Sequence, residues 1–519
     1  MNNGKICISI CARTCDEVLE KLARAEPQAD VIEIRFDCLA DDERSAIFEK
    51  LRKRPVHAEL LATFRHEEIN ADGVDVNTPF EARIAFWKTV MESRLFQYID
   101  LEEDLVFAAT HNDVFSGELL AGHTVIGSSH NFFETPPDIG PTLEVFKPDA
   151  ASEFRCDIVK IANTANTITD TIEQWYVLDW AKHYGMAAVP ISMGQPGKWT
   201  RILGPAHGAF MTYAALDEGG ETAPGQITAR DLTDVYRVKE LNRETEVYGV
   251  IAGDTSYSMS PYIQNAAFRV AAMNRVFVPL QVDDLGDFIK KMVRAETREI
   301  ELNFRGFAVT NPHKQAIIPL LDEIDETARR IGAVNTVKID DGRLLGFNTD
   351  AAGFVAPLLS RYGSLKGSRV AVFGAGGAAR ACVYALKNAG AVVTVIARDS
   401  SKAEALAAEF DAAFAEWPSG SGPLNFDIVV NTTPLGTKGD EEGAAIASAA
   451  DLKGVRLIYD LVYNPAETRL LRNAKEAGCG TLGGLDMLIA QGAEQFRIWT
   501  GQDADIAEMR RAAEERLNR

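Results

Sequence analysis

Short apolar stretches alternate with helix-forming stretches along the first half of the chain. Each apolar stretch ends at a turn or helix signal and predicts a β-strand. The stretches are KICISICA (5–12), VIEIRF (31–36), ELLATFR (59–65), YIDLE (98–102), HTVIGSSH (123–130), IVKIANTA (158–165), AAVPISM (187–193) and GQIT (225–228). Eight strands that alternate with helices over about 230 residues favour a (β/α)8 barrel. An open doubly wound sheet has the same alternation and is the alternative.

The second half alternates in the same way, with strands predicted at VYGVIAG (247–253), RVFVPLQV (275–282) and RGFAVTN (305–311). Further along, the run RVAVF reaches Gly374, Gly376 and Gly377 and is followed by an Ala-rich helix. Backbone N–H groups at such a helix N-terminus receive the pyrophosphate of a dinucleotide. A second strand, AVVTVIAR, ends at Arg398 and completes a predicted Rossmann βαβ unit.

The composition is typical of a folded enzyme with several domains. The chain has 519 residues, of which 46% are hydrophobic and 25% charged. Its net charge of −21 argues against a nucleic-acid or anionic-membrane surface, which needs clustered Lys and Arg. No apolar run reaches the ~20 residues that span a bilayer, and the first predicted strand follows no signal or transit segment. We therefore predict a cytoplasmic enzyme.

The seven cysteines form an odd, scattered set that is typical of a reducing compartment. Cys7, Cys11 and Cys15 recur at every fourth residue, but no CxxC pair or nearby His accompanies them. We therefore predict free thiols that pack as small hydrophobic side chains, and no metal site.

Polar side chains occupy the C-terminal strand ends of the predicted barrel, where catalytic groups of this fold lie. They are Glu33, Arg35, Arg65, His130 and, in the predicted eighth strand, Gln226. Lys160 lies within the apolar run of the sixth strand, where burial lowers the pKa of an amine toward that of a usable nucleophile. Each residue alone also fits a structural role, such as a snorkelling lysine, a hydrogen-bonded histidine or an ion-paired arginine. Together they favour Schiff-base chemistry on an anionic carbonyl substrate.

The motifs that carry these residues resemble those of type I 3-dehydroquinate dehydratases. They are IEIRFD (32–37), TFR (63–65), GSSHNFFETP (127–136), DIVKIA (157–162), ISMGQPGKWTRILG (191–204) and APGQIT (223–228). The resemblance implies that Lys160 forms an imine with the substrate ketone, and that His130 removes the adjacent proton and protonates the leaving hydroxyl. It assigns the substrate carboxylate and hydroxyls to Glu33, Arg35, Arg65 and Arg201. Thr222 and Gln226 are implied to belong to a loop that closes over the site.

One position departs from that family. Four residues after the Arg of TFR, where the family has a Glu that orients the catalytic His, this chain has Ile69. We expect Glu68 to take the orienting role in a shortened loop. The alternatives are that Glu68 is part of a solvated charged loop and that another group orients His130.

The second half resembles shikimate dehydrogenases from end to end. The shared motifs are SMSP (258–261), NPHK (311–314), GAVNT (332–336), FNTD (347–350), GAGGAAR (374–380), NTTPLG (431–436), YDLVYNP (459–465) and GGLDMLIAQGAEQF (483–496). The resemblance implies that Lys314 and Asp350 are the catalytic pair, in which the carboxylate keeps the ammonium charged and oriented. It assigns the binding of substrate to Ser258, Ser260, Thr310, Asn335 and Gln491.

The resemblance also assigns the nucleotide to Gly374, Ala375, Gly376, Gly377, Ala378, Arg398, Asn431 and Thr432. An Arg at the end of the second strand suits the 2′-phosphate of NADP, whereas an acidic residue there suits the ribose hydroxyls of NAD. Arg398 therefore favours NADP, while Asp399, which follows it, leaves NAD as the alternative.

The two resemblances imply a bifunctional enzyme that acts on small molecules. A barrel of residues 1–242 converts 3-dehydroquinate to 3-dehydroshikimate, and the second half reduces this ketone to shikimate with NADPH. The second half divides into a substrate lobe (243–353, completed by 486–519) and a Rossmann domain (354–485). Two alternatives stay open: an aldolase-like barrel joined to an NAD-dependent quinate or shikimate dehydrogenase, or a chain in which one half only binds a ligand or partner. The sequence does not set the oligomeric state.

Overall fold

The computed structural model describes residues 4–54, 56–65, 78–417 and 422–519. These residues form two compact units. One contains the chain up to Glu246 with Asp254–Ser256 and Val278–Asn303, and the other contains Val247–Gly253, Tyr257–Phe277 and Phe304–Arg519. Within the described ranges, no helix has both the length and the apolar composition to cross a membrane.

The first unit contains a barrel of eight parallel strands. They are β1 (Lys5–Ile10), β2 (Val31–Arg35), β3 (Glu59–Thr63), β4 (Tyr98–Glu102), β5 (Thr124–Asn131), β6 (Ile158–Thr164), β7 (Ala187–Met193) and β8 (Met211–Ala215). Each strand from β1 to β6 pairs with the next one along the chain, and β1 also pairs with β8. The seam between β7 and β8 is bridged by the Phe210 N–H, which donates to the Ala188 carbonyl at 2.8 Å. The predicted fold class is therefore confirmed.

The barrel interior has an apolar layer below a polar one. Side chains two residues apart on a strand face the same side, so Val31 shares a face with Glu33 and Ile158 shares one with Lys160. The apolar layer is a buried cluster that includes Cys7, Val31, Leu61, Tyr98, Ile126, Ile158, Val189 and Met211. On most strands the next residue of the same face, nearer the C-terminal end, is polar. The apolar layer therefore lies below the polar one, on the side away from the C-terminal strand ends.

The eighth strand is not the one that the sequence predicted. The GQIT segment contributes only β9 (Ile227–Thr228), which pairs with β8. The true strand, MTYAA, gives a weak signal because it lacks Val, Ile and Leu. All five of its residues are also buried, which removes the alternation of polar and apolar positions. The correction moves Gln226 from the barrel wall into the following loop and places Tyr213 in the wall instead.

Helices alternate with the strands of the barrel. They are α1 (Cys15–Ala25), α2 (Glu43–Lys53), α3 (Phe80–Ser93), α4 (Glu103–Asn112), α5 (Gly117–Leu120), α6 (Gly140–Glu144), α7 (Thr171–His183), α8 (Thr200–His207) and α9 (Ala229–Asp234), with a 3-10 turn at Ile168–Asp170. Arg237, three residues after the end of α9, has a φ of 51°, which a right-handed helix does not accommodate.

Cys11 and Cys38 form a disulfide, so the prediction that all thiols are free is wrong. The bond joins the residue after β1 to the loop after β2, and the two Cα atoms lie 5.4 Å apart. Sequence spacing does not reveal this pairing, because it depends on which strand ends adjoin. The other five cysteines are free and buried: Cys7, Cys15, Cys156, Cys382 and Cys479.

Residues from Glu246 onward begin with a mixed α/β lobe. Its strands are β10 (Glu246–Ala252), β11 (Arg275–Gln281), β12 (Phe304–Val309), β13 (Glu323–Ile324), β14 (Thr336–Asp340) and β15 (Arg343–Phe347), in the sheet order β11-β10-β12-β14-β15-β13. Its helices are α10 (Ser260–Val270), α11 (Leu285–Phe288), α12 (His313–Ala316), α13 (Glu326–Ile331) and α14 (Asp350–Tyr362), with a π turn at Ile289–Val293 and a 3-10 turn at Ile318–Leu320. The three predicted strands are confirmed as β10, β11 and β12, whereas the antiparallel hairpin of β14 and β15 was not predicted.

The next lobe is a parallel six-stranded sheet. Its strands are β16 (Arg369–Phe373), β17 (Val392–Ala397), β18 (Ala413–Glu416), β19 (Ile428–Asn431), β20 (Leu457–Asp460) and β21 (Gly480–Leu482), in the order β18-β17-β16-β19-β20-β21. Its helices are α15 (Gly377–Asn388), α16 (Ser400–Glu409) and α17 (Arg469–Glu476), followed by α18 (Gly484–Thr500) and α19 (Ile506–Leu517). Phe496 of α18 and Met509 of α19 share a buried cluster with Tyr248 and Phe268 of the preceding lobe.

Candidate active sites

The barrel holds a cavity at the C-terminal ends of its strands. Eight residues that the sequence assigned to this site line the cavity: Glu33, Arg35, Arg65, His130, Lys160, Arg201, Thr222 and Gln226. Phe132 and Tyr213, which the sequence analysis did not single out, line it as well. Glu68 and Ile69 lie outside the described residues, so the orienting role of Glu68 stays a prediction.

Lys160 lies in the middle of β6 and is only 4% exposed. Its amine donates to Asp100 Oδ2 at 2.9 Å and to the Tyr213 hydroxyl at 3.1 Å. Glu33 Oε1 lies 3.9 Å from the same nitrogen. The amine is therefore buried, as the apolar run of β6 indicated, and it lies against a buried carboxylate.

Asp100 is a fully buried carboxylate that joins Lys160 to Arg65. Arg65 donates to its two oxygens at 2.9 and 2.8 Å, and the Ser128 hydroxyl donates to Oδ1. Burial alone raises the pKa of such a group, but the charges of Arg65 and Lys160 outweigh it and hold the pKa of Asp100 well below its usual range. Asp100 is therefore a fixed anion beneath the cavity, and the sequence analysis missed it.

His130 lies near the end of β5, and its ring stacks 6.0 Å from the ring of Phe132. Burial, together with the charges of Arg65 and Lys160, lowers the pKa of His130 well below its ordinary value. The imidazole is therefore neutral near pH 7 and can accept a proton, as a general base must.

Two arginines of the cavity have contrasting surroundings. Arg35 donates to Asp37 Oδ1 at 3.0 Å and to Oδ2 at 2.6 Å. Arg201 is 3% exposed, and among the described residues its Nη2 donates only to the Pro224 carbonyl at 3.3 Å, while its Nε has no partner. Burial lowers the pKa of Arg201 to about 10, so the guanidinium stays charged at neutral pH. A buried guanidinium without a carboxylate favours an anionic ligand.

The loop after β8 places Thr222 and Gln226 at the cavity. Gln226 Nε2 donates to Thr222 Oγ1 at 3.0 Å, and the Thr222 N–H donates to Gln226 Oε1 at 2.8 Å. Between them, Gly225 has a φ of 76°, and a Cβ there would lie 2.4 Å from the Gly194 carbonyl oxygen. Only glycine fits this contact, which holds the loop close to the end of β7.

Lys314 and Asp350 meet in the second half, as predicted from the resemblance. Lys314 Nζ lies 2.5 Å from Asp350 Oδ2, and Asn335 Nδ2 donates to the other carboxylate oxygen at 2.8 Å. The Asp350 N–H donates to Asn348 Oδ1 at 3.0 Å. The side chain of Lys314 is 20% exposed and that of Asp350 is 8% exposed. The carboxylate is therefore fixed on one side and orients the ammonium on the other.

The remaining predicted substrate residues lie on other segments of this half. Ser258 precedes α10 and Ser260 begins it, and the Ser260 N–H donates to Ser258 Oγ at 3.3 Å. Thr310 follows β12, and Gln491 lies in α18, where its amide donates to the Leu488 carbonyl at 2.9 Å. Among the described residues, no hydrogen bond joins these four side chains to the pair of Lys314 and Asp350.

The predicted nucleotide loop, which includes Ala375 and Ala378, connects β16 to α15. Gly374 has a φ of 121°, and a Cβ there would meet Thr432 Oγ1 at 2.2 Å, so the position excludes any side chain. A Cβ on Gly376 would meet nothing within 4 Å, and no side chain caps α15. The first N–H groups of α15 therefore adjoin open space, as pyrophosphate binding requires. A Cβ on Gly377 would lie 3.6 Å from Lys314 Cδ, which brings this loop beside the lysine.

Arg398 and Asp399 follow β17. The Asp399 carboxylate caps α16, because it accepts from the Ser401 hydroxyl at 2.6 Å and from the Lys402 N–H at 3.2 Å. The hydrogen bond from Ser401 lowers the pKa of Asp399. Arg398 is exposed. The cap occupies the carboxylate and leaves the guanidinium available to a ligand.

Asn431 and Thr432 are used within the fold. Asn431 is fully buried and donates to Asp460 Oδ1 at 2.9 Å, and Thr432 Oγ1 donates to the Phe373 carbonyl at 2.7 Å. The first contact joins this segment to the end of β20, and the second joins it to the end of β16.

Family models match both halves of the chain. Type I 3-dehydroquinase matches residues 6–243, and the shikimate dehydrogenase substrate binding domain matches residues 250–337. A putative NAD(P)-binding model matches residues 362–478, and the shikimate 5'-dehydrogenase C-terminal domain matches residues 484–514.

One relative aligns with nearly the whole chain. The bifunctional 3-dehydroquinate dehydratase/shikimate dehydrogenase, chloroplastic, of Arabidopsis thaliana is 33% identical over 97% of this chain and 83% of its own length. The shikimate dehydrogenase (NADP(+)) of Salinibacter ruber is 42% identical over 50% of this chain and 94% of its own, and that of Carboxydothermus hydrogenoformans is 38% identical over 52% and 98%. Both resemblances inferred from the motifs are confirmed. The chain belongs to the family of bifunctional 3-dehydroquinate dehydratase/shikimate dehydrogenases.

Proposed function

We propose that the chain dehydrates 3-dehydroquinate to 3-dehydroshikimate in the barrel and reduces this ketone to shikimate with NADPH in the second half. The observation that carries the proposal is the barrel cavity, which is lined by the amine of Lys160, the neutral imidazole of His130 and the guanidinium of Arg201. Among the described residues, that guanidinium contacts no carboxylate. An imine-forming dehydratase of a carboxylate substrate needs such a nucleophile, base and anion site.

In the barrel, the substrate carboxylate pairs with Arg201 and the ketone carbon lies against the Lys160 amine. The amine attacks this carbon, and the carbonyl oxygen leaves as water, so that a C=N bond replaces C=O. The iminium withdraws electrons from the adjacent C–H bond, and neutral His130 takes that proton. The resulting imidazolium protonates the hydroxyl that leaves from the neighbouring carbon. Hydrolysis of the imine then releases the product and restores the lysine.

In the second half, the open first turn of α15 and the close approach at Gly374 fit a dinucleotide. NADPH supplies the hydride when it is bound. Lys314 donates a proton to the carbonyl oxygen of the ketone, which neutralises the developing alkoxide. Asp350, fixed by Asn335, orients the ammonium toward that oxygen.

The surroundings of Arg398 support NADP over NAD. The ribose hydroxyls of NAD need a free acidic side chain at the end of the second strand, whereas the Asp399 carboxylate already caps α16. The exposed guanidinium of Arg398 suits the 2′-phosphate that only NADP carries.

We also propose the domain boundaries inferred from the sequence: 1–242 for the dehydratase, 243–353 with 486–519 for the substrate lobe, and 354–485 for the nucleotide domain. The test of function uses the full chain, mixed with 3-dehydroquinate with or without NADPH. We expect 3-dehydroshikimate alone without the cofactor, and shikimate with loss of NADPH absorbance when it is present. Failure of either step removes that half of the proposal. If the second half instead oxidises quinate with NAD in preference to these reactions, it is the rival quinate dehydrogenase.

A further inference from the structure

Tyr213 combines two contacts with the candidate nucleophile. It lies in β8, is 4% exposed and lines the barrel cavity. The Lys160 amine donates to its hydroxyl at 3.1 Å and lies 4.3 Å from the centre of its ring. A phenylalanine supplies the same ring face and volume. The hydroxyl is therefore the feature that needs a chemical explanation.

The Tyr213 hydroxyl accepts a hydrogen bond from Lys160 and keeps its own proton free. Among the described residues, Lys160 is its hydrogen-bond partner. Burial, together with the nearby Glu33 carboxylate, raises the pKa of Tyr213 well above its ordinary value, so the phenol is protonated at working pH. The O–H is thus available to an oxygen atom that enters the cavity.

Imine formation requires such a group. The overall step converts an ammonium and a ketone into an iminium and water, so two protons move from nitrogen to the departing oxygen. Asp100 is poorly placed to carry them, because its oxygens already accept from Arg65 and Ser128 and its pKa is held low. The Glu33 carboxylate is 3.9 Å from the amine and accepts from Ser9 and Thr63.

We propose that Tyr213 is a catalytic residue that relays protons from the Lys160 nitrogen to the carbonyl oxygen during imine formation. Its oxygen takes a proton from nitrogen while its own proton passes to the substrate oxygen, first as the C–N bond forms and again as the C–O bond breaks and water departs. The phenol is restored after each transfer, and no other reactant is needed. This inference rests on the proposed dehydratase function.

The test is the rate at which borohydride traps an adduct on Lys160 after the full chain is mixed with 3-dehydroquinate. We expect Tyr213→Phe to slow adduct formation by about a hundredfold, the usual size of a general acid–base contribution. The same variant should reduce 3-dehydroshikimate with NADPH at the wild-type rate, because that reaction belongs to the second half.

Tyr98→Phe is the matched control. Tyr98 is also a buried barrel tyrosine, and its hydroxyl contacts the Lys5 amine at 2.7 Å, with the ring centre 5.3 Å away. It does not line the cavity, so adduct formation should be unchanged in this variant.

The outcomes separate this inference from the proposed function. Absence of any adduct in the wild-type protein refutes the dehydratase itself, whereas wild-type trapping rates in Tyr213→Phe refute the relay alone. Where Tyr213→Phe does not fold, the wild-type protein still decides, because a proton relay makes adduct formation slower in D₂O than in H₂O. Equal rates in the two solvents overturn the proposal.

Discussion

The two candidate sites each set a lysine beside an aspartate, but the two pairs differ in their surroundings. Lys160 is 4% exposed, and its partner Asp100 is shared with Arg65 and has no contact with solvent. Lys314 is more open, and Asp350 is held by a neutral amide. The buried amine of Lys160, which is proposed to lose its protons, thus has several polar groups around it. The amine of Lys314, which is proposed to donate a proton, contacts one carboxylate, and Asn335 orients that carboxylate.

This contrast teaches that a Lys–Asp contact does not by itself define the chemistry. In the barrel, Tyr213 and His130 offer the proton acceptors and donors that covalent chemistry needs. In the second half, the lysine lies beside the loop proposed to bind the nucleotide, since a Cβ on Gly377 would lie 3.6 Å from Lys314 Cδ. The neighbours of each pair therefore carry the assignment.

Lys160→Met is the variant with the largest expected effect, and it should affect the dehydratase alone. Removal of a covalent nucleophile is expected to lower the dehydratase kcat by about 10⁶-fold, as for other enzymes that lose one. Reduction of 3-dehydroshikimate by the same variant is the internal control and should keep its wild-type rate. Retained dehydration, measured as the rise in 3-dehydroshikimate absorbance, would exclude imine chemistry at Lys160.

Lys314→Met should have the opposite effect and impair the reductase alone. Loss of the proton donor is expected to lower the reductase kcat by about 10²–10⁴-fold, with dehydration of 3-dehydroquinate unaffected. The measurement is NADPH oxidation at saturating 3-dehydroshikimate. A variant that loses only substrate affinity, with its kcat intact, would show that Lys314 binds the ketone without transferring a proton.

Arg398→Gln tests the cofactor assignment within the second site. Loss of a charged hydrogen bond to the 2′-phosphate is expected to raise the KM for NADPH by about tenfold to a hundredfold, and the KM for NADH should not change. Arg369→Gln is the control, since this arginine lies at the other end of the sheet, where it pairs with Asp427 at 3.6 Å. An equal effect on NADH and NADPH would contradict a role in phosphate recognition.

The pH dependence of dehydratase kcat should show the smallest effect, and it tests the role of His130 specifically. His130 acts as a base only when it is neutral, and its pKa is lowered by burial and by Arg65 and Lys160. A lowered pKa extends the neutral form to lower pH, so the acidic limb of dehydratase kcat should lie below the ordinary histidine value of about 6.5. His130→Ala should remove that limb with most of the activity. A limb above pH 7 would mean that another group is titrating.

The sequence predicted those features that depend on local pattern. Six barrel strands contain Val or Ile and a seventh, ELLAT, contains two adjacent leucines. The two-residue period of these strands sets which side chains point inward. That period groups Glu33, Arg35 and Lys160 on inward faces. The same period could have predicted Asp100, because it is a charged residue at an inward-facing position of an apolar strand.

The missed features depend on tertiary adjacency or on weak local signals. Tyr213 was missed because MTYAA has no Val, Ile or Leu. The Cys11–Cys38 disulfide needs the knowledge that the ends of two neighbouring strands adjoin. The hairpin of β14 and β15 did have a signal, since its turn is Asp341-Gly342 with φ values of 46° and 78°, a sequence that favours two-residue hairpins.

The most direct test of the account is to locate the borohydride adduct that forms when 3-dehydroquinate is added to the full chain. Peptide mass mapping should show one reduced adduct, on the peptide that contains Lys160, and an unmodified peptide around Lys314. An adduct on Lys314, or dehydration without any adduct, would contradict the assignment of imine formation to Lys160 and of proton donation to Lys314.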